Sequence, residues 1–163
     1  MSMPRAMRYL PMFLALCGLI LPAEPAHALC ACTCTVSTTP MAFGTYDQTS
    51  VTPKDVNATV TIACTSLVSI LSTADIAISA GGSNSPTARR MIFNSIPLYY
   101  NIYSDAGHNT VWGDGTSGAP VLQVPLNGLL NFTSTATAYG RIPALQNVAV
   151  GSYADTLTIT VTY

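Results

Sequence analysis

The chain has 163 residues, 49% of them hydrophobic and only 8% charged, with a formal net charge of −1. So sparse a charge, with no basic stripe, counts against nucleic acid and against anionic membrane surfaces as partners. The length fits one ordinary domain with its own core.

Arg5 and Arg8 precede an apolar run from Tyr9 to Leu21, too short to cross a bilayer comfortably, and Ala26-His27-Ala28 supplies the small residues a signal peptidase accepts. Residues 1–28 therefore read as a secretory signal and 29–163 as the mature domain. Cys30 is a poor lipidation site because Leu29 precedes it. Beyond the leader, Lys54, Arg89, Arg90 and Arg141 stand against six aspartates, a net −2. No later segment approaches the roughly eighteen unbroken apolar residues of a spanning helix.

Cys17 leaves with the leader, and Cys30, Cys32, Cys34 and Cys64 remain, with three ways to pair. Pairing within Cys-x-Cys closes a tight ring, which favours one long bridge from the cluster to Cys64. Cys34 is the preferred partner, because Cys34-Thr-Val36 and Val60-Thr-Ile-Ala-Cys64 are both strand-like and would lie side by side. Cys30 and Cys32 are then left to pair with each other or with another chain. A zinc site is the competing reading of clustered thiolates, and export to an oxidising compartment disfavours it.

The mature chain shows strand signals and no helical periodicity. Val56, Ala58, Val60, Ile62 and Cys64 alternate with polar or small residues, as do Ala74, Ile76, Ile78 and Ala80 before Gly81-Gly82. Leu98, Tyr100 and Ile102 follow Pro97, and Leu130, Phe132, Ser134, Ala136 and Ala138 form the longest alternating run. Turn chemistry separates these runs at 81–86, 105–107, 113–115, Asn127-Gly128 and Gly151-Ser152. At the end, Leu157, Ile159, Val161 and Tyr163 share one face and threonines the other. The pattern predicts an all-β sandwich whose last strand coincides with the end of the given sequence, leaving an edge to be covered.

Several blocks, in order, carry a family resemblance: Cys34-Thr-Val36, Phe43-Gly-Thr-Tyr46, Cys64, Ser79-Ala-Gly81, Arg89-Arg-Met91, Leu98-Tyr-Tyr-Asn-Ile-Tyr103, Trp112-Gly-Asp-Gly115, Tyr139-Gly-Arg-Ile-Pro143 and Gly151-Ser-Tyr-Ala-Asp155. With these, the chain resembles the spore coat protein U domain, the family that includes subunits of archaic, Csu-type chaperone-usher pili. The resemblance implies an immunoglobulin-like β-sandwich made without its last strand. A periplasmic chaperone would fill the open groove first. The N-terminal extension of another pilus subunit would replace it at an outer-membrane usher, a route through the periplasm to the cell surface. Four or five inserted apolar side chains would supply about 6 to 15 kcal/mol, comparable with the ~5 to 15 kcal/mol stability of a whole domain. Leu157, Ile159, Val161 and Tyr163 are expected to border that acceptor groove, with Tyr163 and its carboxylate as a chaperone anchor.

The chain departs from the pattern in one respect. A strand donor of this kind needs roughly ten or more alternating residues before its first cysteine, and the expected mature chain offers only Leu29. The expectation is a subunit that accepts a strand without donating one, which suits a tip-like position supporting adhesion and biofilm formation. Two readings from other classes stand beside it. One is a self-complete secreted binding or coat protein, its edge closed by an internal segment such as 34–43. The other is a secreted hydrolase using His108, Asp105 or Asp114 and a serine.

The remaining conspicuous residues carry plainer expectations. His108 in Asp105-Ala-Gly-His-Asn109 reads as part of a polar turn, and Asp105 and Asp114 as solvated turn aspartates rather than calcium ligands. Arg89-Arg90 reads as an exposed basic pair beside a strand. Trp112 is placed in the core, and Arg141 is offered a loop aspartate such as Asp155. The sequons at Asn57 and Asn131 fall in strand-like runs. No cofactor, metal or catalytic residue is assigned.

Overall fold

A computed structural model describes residues 32–163; the segment expected to be a secretory signal, and Cys30, lie outside them. The described residues form seven strands and no helix: β1 (Cys32–Thr38), β2 (Lys54–Ile78), β3 (Arg90–Phe93), β4 (Ile96–Tyr99), β5 (Asn101–Tyr103), β6 (Leu122–Ile142) and β7 (Ile159–Thr162). The fold is an all-β, immunoglobulin-like sandwich.

Its frame is a long antiparallel pair. The alternating runs 56–64 and 74–80, separate in the sequence pattern, fall in the two halves of the 25-residue strand β2, which ends at Ile78 and pairs with β6 over 54–66 and 70–76. The register breaks between Ser66↔Leu130 and Ile70↔Gly128, so three residues of β2 oppose one of β6. Such a bulge bends the strands. Val60 and Ile62 from one half of β2 can then join Ile76 and Ile78 from the other in a single buried cluster. Asn127-Gly128, whose composition signals a turn, lies inside β6 beside this bend. Gly128 is required there because a Cβ would collide with the ring of Phe132. Leu130, assigned by alternation to the buried face, is instead exposed, with φ +64°. The bulge ends the alternation before it reaches this residue.

The edge of β2 not used by β6 carries two neighbours in different places. β1 pairs with 60–66 and β7 with 75–78. β1 is antiparallel to β2 with Cys34 opposite Cys64, and the two are joined by a disulfide. Tyr99 and Asn101 stand on different sheets: β4 closes a hairpin with β3, and β5 pairs with the end of β6. The hairpin turns through Asn94 and Ser95, both at positive φ, the backbone a two-residue type I′ turn demands. Alternation through Leu98, Tyr100 and Ile102 still holds, and all three are buried.

Candidate functional site

Between β1 and β7 the sandwich is open. Within the described residues β1 pairs with β2 alone and β7 with β2 alone. The chain after β1 (Thr38, Thr39, Pro40, Met41, Phe43) forms one wall of a groove, and the chain leading into β7 (153–157, with Ile159) forms the other. The floor is Ala58, Val60, Ile78, Tyr100, Ile102 and Ala138. These are core residues, so the groove reaches into the core rather than resting on the surface. Its volume is about 490 Å³. It shares Met41, Phe43, Met91 and Tyr153 with a neighbouring cavity of about 850 Å³ that reaches Tyr46 and Val150.

The first wall depends on a glycine. A Cβ on Gly140 of β6 would collide with Met41 Sδ and the Phe43 ring, so only glycine lets residues 41–43 lie against the sheet. Phe43 in turn packs edge-on to Tyr100 at a centroid distance of 5.9 Å. The block Tyr139-Gly-Arg-Ile-Pro143 is thereby explained in part by what Gly140 makes room for.

The second wall is held by polar contacts. Asp155 Oδ1 accepts from Gly82 N at 2.9 Å and from Thr156 N at 2.8 Å, and its Oδ2 accepts from Tyr100 Oη at 2.8 Å. Burial, with Asp155 beside it, pushes the Tyr100 hydroxyl well above the usual tyrosine range. Gly81, at φ +62°, is placed where a side chain would strike Asp155 and Leu157. One residue further along, Ser79 N donates to Thr158 O at 3.0 Å and Thr158 N donates to Ser79 Oγ at 2.9 Å.

Of the four terminal-strand residues offered as groove contacts, Leu157 and Ile159 line it. Val161 is opposite Ile76, packed against the core beyond the groove, and Tyr163 is largely exposed. The opening lies further toward the N-terminal side of this segment than the alternation suggested, because 153–157 stand off from β2 before β7 joins it. The wall at 38–43 had no periodic signal. Its visible marks were the block beginning at Phe43 and the alternative reading in which 34–43 closes the edge.

Arg89 corrects the expectation of an exposed basic pair. It is completely buried, and its guanidinium donates to Ser79 O (2.9 Å), Ile78 O (2.9 Å), Trp112 O (3.0 Å) and Asn101 Oδ1 (3.0 Å). Burial draws its pKa downward. Arg90 is only half-buried at the start of β3. Trp112 is fully buried, its indole N–H donating to Ile76 O at 2.7 Å. Arg141 does not reach Asp155: it grips Asp55, its cross-strand neighbour, with two bonds of 2.7 Å.

Asp105, Asp114 and His108 each have partners near by. Asp105 accepts from Asn109 and Thr110 within its own turn, and Asp114 from Thr116. The His108 imidazole lies 3.9 Å from Asp55, between Tyr103 and Tyr139, while its backbone N–H donates to Asp105 O at 3.1 Å. Among the described residues no three acidic, histidine or cysteine side chains cluster as a metal site. No helix there is long and apolar enough to cross a membrane.

Away from the groove, the bend of the long strand pair presents Leu67, Val68, Leu71, Leu129 and Leu130 to solvent, with Leu67 87% and Leu71 89% exposed. No charged residue occurs from 56 to 74 or from 115 to 140, so the corner is apolar and uncharged.

Comparison with known proteins places this architecture. A search of curated proteins gives no match. Among solved structures, the chain is similar in fold to a chain of the CsuC–CsuE chaperone–tip adhesion subunit pre-assembly complex from the archaic chaperone-usher Csu pili of Acinetobacter baumannii. The TM-score is 0.57 at 18% identity, and the match covers 81% of this chain and 40% of that one. A family model, Spore Coat Protein U domain, matches residues 23–160. The chain belongs to the Spore Coat Protein U domain family.

Proposed function

We propose that the chain is a non-enzymatic subunit of a surface pilus, exported to the periplasm and assembled by a chaperone-usher pathway through donor-strand complementation. The observation that carries this reading is the groove between 38–43 and 153–159, whose floor is the hydrophobic core. An extended segment laid along it would place alternate side chains over Val60 and Ile78. Its free backbone groups would meet the facing walls, the arrangement of strand addition. A chaperone strand would occupy the groove first, and a strand from another subunit would replace it at the usher. The alternative in which 34–43 closes the edge internally is not favoured, since β1 is committed to β2 and 39–43 form the wall opposite 157–159.

The test is co-purification. Leu157→Asp or Ile159→Asp puts a charge into the apolar groove and should abolish recovery with the co-produced periplasmic chaperone, while export across the inner membrane is unchanged. Unaltered chaperone binding would contradict the placement.

A finer form of the reading, an adhesive and tip-located subunit supporting biofilm formation, draws on the uncharged corner at Leu67, Val68, Leu71, Leu129 and Leu130. An exposed apolar patch of this kind marks a contact surface. Leu67→Ser with Leu71→Ser should reduce attachment of piliated cells to an apolar support and leave the amount of pilus unchanged. Equal attachment would remove the corner from the reading.

A further inference from the structure

We propose that Arg89 is a positioning residue for the groove: its guanidinium holds the carbonyls of Ile78 and Ser79, and through them the wall at 157–159, where an incoming strand needs it. The proposal rests on the groove reading above and adds what keeps the groove in shape.

Each of the four bonds described for the buried guanidinium goes to a neutral acceptor, three backbone carbonyls and one amide. Among the described residues no carboxylate makes an ion pair with it. Burying a cation on those terms carries a desolvation cost, and an apolar side chain of similar volume would serve core stability as well or better. What an apolar residue cannot do is fix carbonyls in space. A planar fork of donors can, and a lysine's single ammonium cannot reproduce it.

The positions it fixes are those that matter to the groove. Ile78 is part of the groove floor. Ser79, the next residue, exchanges two hydrogen bonds with Thr158, so the guanidinium is one residue removed from the wall. Asn101 holds the other side of the fork. Its Oδ1 accepts from Arg89 and from the amide of Ile102, a floor residue, while its Nδ2 donates to Thr87 O. Trp112 completes the frame by accepting from Arg89 and donating to Ile76 O. Beyond these contacts, among the described residues, the four residue pairs of the β7 ladder tie this wall to β2, and Ile92 N of β3 donates to Ala154 O at 3.0 Å.

The test compares wild type with Arg89→Lys and Ser79→Ala in the mature protein. Amide hydrogen exchange reads the wall, and binding of a synthetic peptide alternating valine and threonine over about ten residues reads the groove. Exchange at Ser79 and Thr158, the two amides bonded across this contact, should rise about tenfold or more in Arg89→Lys, while amides of 60–66 and 130–136 keep wild-type rates. Ser79→Ala removes one of the two bonds to Thr158, the one that Thr158 N donates to Ser79 Oγ, without touching the guanidinium, and should reproduce the local effect in milder form, which keeps the test decisive if Arg89→Lys folds poorly. Peptide affinity should fall in both. A uniform rise in exchange across both halves of β2 in Arg89→Lys, with Ser79→Ala unchanged at the wall and in affinity, would overturn the proposal and make Arg89 a general core residue. Failure of the wild type to bind the peptide would instead count against the groove reading, and the exchange data would still decide the role of Arg89.

Discussion

The two walls of the groove lean on the same strand and are held in opposite ways. β1 runs along seven residues of β2 and is locked there by the Cys34–Cys64 disulfide, and Gly140 lets the chain beyond it settle onto β6. β7 has only four paired residues, and the chain before it hangs on Asp155, Ser79 and the carbonyls that Arg89 fixes. One wall continues a strand that is covalently tied to β2, and the other is held by hydrogen bonds to Ser79, Gly82 and Tyr100. On the proposed donor-strand reading, a site that holds one strand, releases it and accepts another benefits from one wall that gives, because local opening draws on the least stable contacts.

The largest effect should come from the fixed wall. Replacing Cys34 and Cys64 by serine should lower stability by about 3.5 to 4 kcal/mol in urea unfolding, on the chain-entropy estimate for a loop of this size. A loss under about 1 kcal/mol would mean that packing rather than the bridge holds β1 and would erase the contrast. On the other wall, Asp155→Asn weakens bonds from two amides and from Tyr100 and should cost about 1.5 to 3 kcal/mol, with faster exchange confined to 79–82 and 155–158. Gly140→Ala pushes against Met41 and Phe43 and should cost about 1 to 3 kcal/mol, with reduced binding of an alternating peptide. Asp55→Asn, on neither wall, should cost least, about 0.2 to 1 kcal/mol, because the pair with Arg141 is well exposed. Arg141 holds the Asp55 carboxyl below its ordinary value. That increment is therefore present above the unfolded-state value near 4 and disappears as pH falls through the lower folded value. Wild type and Asp55→Asn should converge in stability in acid, as read by thermal melts from neutral pH downward.

Much of the frame was legible in the residues. Strict alternation at 56–64 and 74–78 located both halves of β2, because each half buries one face only. The bend joining them was not legible, since a bulge interrupts the period that would reveal it, and Asn127-Gly128 imitates a turn. Leu157 and Ile159 were placed at the groove, but the wall continues back to Tyr153, where spacing carries no signal because the segment pairs with no strand over most of its length. Arg89 was misread because arginine is seldom fully buried, and composition cannot show that four acceptors from 78–112 converge on one point. Arg141 was matched to the wrong aspartate for a similar reason: its cross-strand neighbour Asp55 becomes visible only when the register of β2 and β6 is known.

The measurement that bears most directly on the groove is a crystal structure of the protein bound to the alternating peptide. The peptide should lie extended between 38–43 and 153–159, with successive apolar side chains over Val60 and Ile78 and its backbone bonded to at least one wall. A peptide bound elsewhere, or residues 39–43 closed directly onto 157–159 with no room for a strand, would contradict the assignment of this opening as an acceptor groove.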